Sequence, residues 1–523
     1  MAARADDPIT ASVIQASLVA AADEMFAVLK KTAMSPIIYE VLDVGTGITD
    51  EKGDLVSSGA GIPTFVGVLD KAVKRIVGLH GLERIRDGDC FITNDPYFGG
   101  VTHLNDVVIA LPVFAGGVCV AWAASIAHWN DLGGKTPGSM AVDVTEIFQE
   151  GLRLPAVRLF EAGEPVQPVF DIIAANSRLP DFVRGDLWAQ VAASRKAATR
   201  IRQLVENYGL DAYRAALADL FAEGEKRGLA GLATLPPGKY AIEEEQDDGA
   251  VWRATITVAP ERFTVNLSGN PKQRNAPYNT SRDGAVISCQ MIFKALTDPT
   301  LFANAGSFRP LEVITEPGTI FHAEGTAPHG YYFETRIRLY DMLWQCMARA
   351  MPERLPAGHF ASICGTVIAG DHPDTGRRFT MVEPQMGGWG ATAARDGLDA
   401  MYSASHGETF NCPVEICEAR YGIDVGYKRL NETDEGRGLH SGGKGLTVSY
   451  RPRGRAVLSA GYSRARVPVW GLNGGAPGGT NGISLLRADG ARKDHAFVSG
   501  LTVEPGDEIV ISTANGGGWG APR

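Results

Sequence analysis

The sequence predicts a mixed α+β protein, and three observations carry that prediction. Apolar residues recur with helical spacing over two long stretches, Thr10 to Lys31 and Leu179 to Leu229. Short apolar or alternating runs of strand length stand on either side of the second stretch. Among 523 residues there are 62 glycines without a repeat period, which implies many tight turns and close backbone approaches. The Pro236-Pro237-Gly238 breaker divides the expected architecture in two. Residues 1–235 form an N-terminal α/β region with the long helices. Residues 236–523 form a strand-rich α+β region packed against it in one body.

The elements follow in order. Thr10 or Ser12 can cap a first helix whose inward side carries Val13, Leu18, Ala21, Met25, Phe26 and Leu29. Ile37 to Thr49 reads as strand with Asp43 inside it, and Glu51 to Asp54 as a hairpin turn. Phe65 to Leu79 is a second helix with Lys71, Lys74 and Arg75 outward. Cys90 to Asn94, Val107 to Phe114 and Gly117 to His128 are buried strands. Asn207-Tyr208-Gly209 stops the long helix, and a shorter one starts at Asp211. Tyr240 to Leu267 alternates as strands, and the acidic run Glu243 to Asp248 reads as a solvated hairpin edge. Gly284 to Leu296 and Glu334 to Met351 are helical. Beyond His359 strands and glycine turns are expected to the end.

Composition excludes several classes. With 45% hydrophobic and 21% charged residues the chain is globular. No apolar run reaches the roughly 20 residues of a membrane span, and the first residues lack the order of a signal peptide. A cytoplasmic protein without a membrane role is therefore expected. A net charge of -10 argues against nucleic acid as a partner. The seven cysteines are dispersed without a CxxC pair, as buried reduced thiols would be. No GxSxG elbow is present. The glycine segments at 387–390 and 516–520 lack the lysine and the context of a phosphate loop, and read as closely packed turns.

The densest chemistry lies between Asn94 and Pro155. His103 and Asp106 form an HxxD pair, and the AHWND segment adds His128 and Asp131 at the end of a buried strand, with Asp95 nearby. Two imidazoles and carboxylates at strand ends suit zinc, manganese or iron(II). A histidine on a buried strand is also commonly a satisfied core residue, and spacing alone leaves both readings open. His406-Gly407-Glu408 and Glu383 flank glycine turns, where they line a pocket or serve ordinary loop hydrogen bonding.

At these residues the chain resembles the hydantoinase B/oxoprolinase family. NDPYFGG…THLND is similar to that family's NDPY-GG-THLPD stretch, and LGGKTPGSMAVDVTEIFQEGLRLPAVRL to its most recognisable block. DLWAQVAASR, FRPLEVITEPGTIF, NCPVEICEARYGI and GGKGL extend the likeness along nearly the whole chain. There are departures: Phe65 and Trp129 stand where many members have histidine, and Val101 is an added residue before Thr102. They mark a divergent subgroup.

The resemblance implies a mixed multi-layer fold of that family's kind, with a metal site in the N-terminal part. It implies one divalent ion held by Asp43, His103, Asp106 and His128; Asp43 would not be chosen from spacing. Asp131 is the expected catalytic residue, orienting a ligand or accepting a proton, with ordinary support behind the ligands as the other reading. The family comprises B-type subunits, or halves, of ATP-dependent enzymes such as N-methylhydantoinases, 5-oxoprolinases, caprolactamases and ketone carboxylases. An A-type subunit with an actin-like ATPase fold binds ATP and magnesium and phosphorylates an amide or enol oxygen. The implied function is ATP-coupled hydrolytic opening of a hydantoin, oxoproline or lactam in a hetero-oligomer. A ketone carboxylase subunit acting with bicarbonate is the first alternative, and a non-catalytic scaffold subunit the second.

Overall fold

The computed structural model describes residues 7–404, 406–407, 409–433 and 435–522. Helix α1 (Pro8–Thr32) starts earlier than predicted, because the Asp7 carboxylate accepts the Ile9 and Thr10 backbone N–H groups at 3.2 Å each. Its buried face is Ile14, Leu18, Ala21, Ala22, Met25 and Leu29, whereas Val13 turns outward. Among the described residues α1 is the one helix long and apolar enough, by length and composition, to cross a bilayer. Here it packs on α5 (Pro180–Tyr208), α6 (Leu210–Leu232) and the strand Leu55–Gly61.

The segment expected to be one strand from Ile37 breaks into three parts. Pro36 opens a single helical turn, α2 (Pro36–Tyr39). Leu42 then takes a positive φ of 64°, and β1 (Val44–Asp50) begins only after Asp43. Asp43 therefore sits at the mouth of a strand and not within it.

The first sheet has the order β2-β1-β5-β4-β3-β6-β7. Its strands are β1, β2 (Leu55–Gly61), β3 (Cys90–Thr93), β4 (Asp106–Ala115), β5 (Val118–His128), β6 (Val157–Glu161) and β7 (Glu164–Pro165). Along β5, Ala121, Ala123 and Ala127 join the core under α1 and α5, while Trp122, Ala124 and Ile126 join the core under α3 (Pro63–His80). Burial on both faces explains why these strands read as unbroken apolar runs. The short α4 (Gln167–Ala175) leads into α5.

The chain passes from α6 through Pro236-Pro237 into a second sheet. Its strands are β8 (Gly238–Glu245), β9 (Val251–Ala259), β10 (Arg262–Asn266) and β11 (Leu311–Ile314). Helices α7 (Arg282–Thr297) and α8 (Tyr332–Ala350) pack against this layer. The acidic run is not merely solvated. Alternation along β8 turns Glu244 inward, where it pairs with the buried Arg338 at 3.0 Å and Arg464 at 2.9 Å. Two further sheets follow. One holds β12 (Thr366–Asp371), β13 (Arg378–Glu383), Ala456–Gly461 and Phe497–Val503; the other holds Ile423–Leu430, Leu446–Pro452, Glu508–Ser512, Gly482–Leu486 and Arg492–His495. Helix α9 (Val414–Tyr421) interrupts the expected run of strands. Its VEICEARY segment has little helical periodicity, and Pro413 and Gly422 set its ends. The largest apolar cluster takes residues from Ile14 through Ala514, so N-terminal and C-terminal elements share it.

The glycine segments pack backbone on backbone. Gly388 N–H donates to Ala514, Gly516 N–H to Gly443 and Gly517 N–H to Gly358, each at 2.9 Å. A Cβ at Gly388, Gly516 or Gly517 would collide with the carbonyl oxygen of Gly443, Trp389 or Trp470 respectively.

Candidate functional site

Three neighbouring strands end together and present one row of side chains. Asp106, the first residue of β4, lies directly opposite His128, the last of β5. Val44 of β1 pairs with Ala127, and the His128 N–H donates to the Asp43 carbonyl at 3.1 Å. Residues opposite one another on adjacent strands share a face, so the register alone lines up Asp43, His128 and Asp106. His103 comes from the turn before β4, closed by the Asp106 N–H on its carbonyl at 3.1 Å. The HxxD spacing is thus the span of one turn.

The side chains converge. His103 Nε2 lies 2.9 Å and His128 Nδ1 3.2 Å from Asp106 Oδ1, and Asp43 Oδ2 is 4.0 Å from His128 Nδ1. His103, Asp106 and His128 offer ligand atoms within 4.8 Å of one another, all buried. The other Asp106 oxygen, Oδ2, accepts the Thr102 hydroxyl at 2.6 Å and the Tyr332 hydroxyl at 3.1 Å. His103 Nδ1 donates to the Gly330 carbonyl at 2.9 Å. That carbonyl is fixed by Glu150, whose buried carboxylate accepts the His329 and Gly330 N–H groups at 2.8 and 2.6 Å.

The charge balance follows from burial. Desolvation would raise the Asp106 carboxyl, but the two imidazoles outweigh it and hold it well below the usual carboxylate range. Burial lowers His103, yet the Asp106 carboxylate pulls it above an ordinary histidine. Asp43 is raised well above its ordinary value by burial and by the Asp106 charge. His128 is lowered, chiefly by burial.

These residues fit a divalent cation. A proton on His103 Nδ1 serves the Gly330 carbonyl, which leaves the Nε2 lone pair aimed at a carboxylate oxygen unless a proton or a cation lies between. Asp43 Oδ1 and His128 Nε2 are buried and find no hydrogen-bond partner among the described residues. Two carboxylates and two imidazoles are a nitrogen and oxygen donor set common for zinc, manganese or iron.

The four side chains line one cavity at the end of the sheet. Ile62, Thr64 and Phe65 close it from the start of α3, Tyr332, Phe333 and Arg336 from the first two turns of α8, and Val382 of β13 with Pro384 and His406 of the following loops from the C-terminal part. The cavity volume is about 40 Å³, room for a few waters. Burial, with the charge of Arg336, pushes the His406 imidazole down to about 3. The companion Glu408 lies outside the described residues. Glu383 is at the edge of this wall, its carboxylate accepting the Cys412 N–H at 3.1 Å and the Asn411 side chain at 2.8 Å.

Asp131 is not brought to the cavity. Its oxygens accept Gly133 N–H at 3.0 Å, Gly138 N–H and Arg178 N–H at 2.9 Å, and the Arg178 guanidinium at 3.1 Å. It braces the glycine-rich loop after β5, and its acceptors are taken. Asp95 likewise turns to Arg153, at 2.7 Å. Thr102, Glu150, Tyr332 and Arg336 were missed from the sequence. Only Thr102, beside His103, carried a local signal.

The hydantoinase B/oxoprolinase family model matches residues 7–522. An uncharacterized protein of Methanocaldococcus jannaschii is 31% identical, over 99% of this chain and 91% of its own length. The caprolactamase subunit beta of Pseudomonas jessenii is 29% identical over 99% and 91%. Among solved structures, the ATP-dependent caprolactamase from Pseudomonas jessenii superposes with a TM-score of 0.90 at 26% identity, covering 99% of this chain and 91% of that one. Nucleotide-free acetone carboxylase superposes with a TM-score of 0.89 at 17% identity, covering 98% and 76%, a likeness of fold alone.

Proposed function

Because the chain belongs to the hydantoinase B/oxoprolinase family, we propose that it is the metal-bearing B-type subunit of an ATP-dependent enzyme that opens a cyclic amide. The observation that carries this reading is the buried convergence of Asp43, His103, Asp106 and His128 on one cavity. Those four side chains would hold one divalent ion, zinc, manganese or iron. When bound, such an ion supplies Lewis acidity toward a carbonyl oxygen and makes a water acidic.

The remaining steps belong to this chain's own residues. Thr102 and Tyr332 donate to Asp106 Oδ2, which keeps the other oxygen of that carboxylate turned to the imidazoles. Phe65, Phe333, Ile363 and Val382 make the wall apolar and exclude bulk water, which strengthens every charge inside. The buried Arg336 adds a positive charge beside the place where an oxyanion would develop. An unactivated amide is a poor electrophile. We assign its phosphorylation to a separate A-type ATPase subunit holding ATP and magnesium. The name of the caprolactamase relative, a subunit beta, supports a partnered enzyme.

Caprolactamase likeness in both sequence and structure favours a lactam or hydantoin over a ketone. Turnover that requires bicarbonate would favour the carboxylase alternative. The first test is elemental analysis of the purified chain beside His103→Ala. About one zinc, manganese or iron per chain, lost in the variant, is expected, followed by ATP- and partner-dependent opening of a lactam or hydantoin. Absence of metal from both proteins would sink the reading and leave a scaffold subunit.

A further inference from the structure

The DLWAQVAASR segment lies in the middle of α5, and three of its polar residues, Asp186, Gln190 and Ser194, are fully buried. Asp186 and Gln190 stand four residues apart, so they share one face of the helix. Each of their hydrogen bonds goes to a segment that carries a candidate metal ligand.

Asp186 Oδ1 accepts the Met34 N–H at 2.7 Å and the Ser35 N–H at 3.1 Å, and Oδ2 accepts the Ser35 hydroxyl. Ser35 precedes the α2 turn, and the Asp43 N–H closes back on the Ile37 carbonyl of that turn at 3.0 Å. The anchored turn therefore fixes where Asp43 leaves the chain. Gln190 Oε1 accepts the Trp129 indole N–H at 2.8 Å, next to His128. Gln190 Nε2 donates to the Val107 carbonyl at 2.9 Å, next to Asp106, and to Ser125 of β5 at 3.3 Å.

We propose that Asp186 and Gln190 are positioning residues that set the mutual spacing of Asp43, Asp106 and His128. This rests on the metal reading above. Neither residue lines the cavity, and α5 lies against the opposite face of the sheet from α3. They act from behind the site as a rigid two-point brace. Hydrogen-bond partners behind metal ligands typically govern affinity by 10- to 100-fold. Burial pushes the Asp186 carboxyl up to about 6. An isosteric amide is thus close to the form this place already tolerates. With Asp186→Asn the side-chain oxygen would still accept both backbone N–H groups, and the new amide N–H would point at the Ser35 hydroxyl.

The test compares the wild-type chain with Asp186→Ala, Gln190→Met and Asp186→Asn. Zn²⁺ affinity is measured by chelator competition at a temperature where each protein is folded, and the visible ligand-field bands of the Co²⁺ forms are recorded. The alanine and methionine variants should bind Zn²⁺ about 10- to 100-fold more weakly, with displaced Co²⁺ bands. Asp186→Asn should stay within about threefold of wild type. Should Asp186→Ala not fold, Ser35→Ala removes only the hydroxyl contact and should shift affinity and bands in the same direction. Wild-type affinity and bands in the alanine and methionine variants would overturn the positioning role, even with a lowered melting temperature. A wild-type chain that binds neither Zn²⁺ nor Co²⁺ would overturn the metal reading instead, and this inference with it.

Discussion

Replacing Glu150 with glutamine is expected to stabilise the protein at pH 8 and to change it little at pH 5. The carboxylate is 3% exposed and lies under the loop that holds His103. Burial pushes it up to about 7 from 4.5, against the pull of the His329 and Gly330 N–H groups and of His103. A folded-state value above the unfolded one means that the folded chain binds the proton more tightly. Its contribution to stability is therefore full below about pH 4.5 and falls as pH rises through about 7. At about 1.4 kcal/mol per pH unit, the difference is worth about 3 kcal/mol at pH 8 and less than about 1 kcal/mol at pH 5. The two closest donors both meet Oε1, so an amide oxygen there keeps both bonds without a charge to bury. Two buried histidines impose the opposite trend. Burial holds His329 down to about 4 and His406 down to about 3, so each loses stability as pH falls below 6.5. The difference between variant and wild type, and not the raw pH profile, isolates Glu150. Urea unfolding of both proteins at pH 5 and pH 8, with chelator present, measures it. An equal shift at the two pH values, or a less stable variant at pH 8, would refute the reasoning.

Tyr332→Phe and Thr102→Val each remove a hydrogen bond to the ionised Asp106, worth about 1.5–3 kcal/mol. Each should weaken metal binding by about 10- to 100-fold in chelator competition, and unchanged affinity in both would contradict the role given to Oδ2. Arg178→Ala leaves the fully buried Asp131 with its backbone donors but no counter-charge. A loss of about 3–5 kcal/mol in unfolding free energy is expected, with metal stoichiometry of the folded fraction intact. Gly517→Ala places a methyl group against the Trp470 carbonyl, where neither backbone can yield. It should cost more than about 4 kcal/mol, read as a sharp fall in soluble yield and melting temperature.

The helix α5 was legible because burial on one face leaves a period in the sequence, and β4 and β5 because burial on both faces leaves unbroken apolar runs. His103, Asp106 and His128 were visible because a turn and two adjacent strand ends keep them within 26 positions. Asp43 carried no local sign, since the positive φ at Leu42 and the α2 turn that aim it leave nothing in the apolar pattern. Resemblance supplied it. Three residues past the end of β5 the chain has already turned into a loop that consumes the Asp131 carboxylate, an arrangement that suits support behind the ligands over a catalytic part. Tyr332, Arg336 and His406 reach the cavity from more than 200 positions away, so only the tertiary fold could reveal them.

The glycine layer also bears on the order in which the molecule assembles. It joins backbone from around residues 358, 388, 443, 470 and 516, separated by up to about 160 positions. Loop-closure entropy must be overcome for each before any contact rewards it. The glycines themselves bury no side chain, so their backbone contacts add little to collapse beyond what neighbours such as Trp470 and Trp519 bring to the apolar clusters. The long sequence separations lead to the expectation that the layer closes late, after the apolar clusters have formed. Mutations confined to it should therefore speed unfolding and leave the early folding rate nearly untouched.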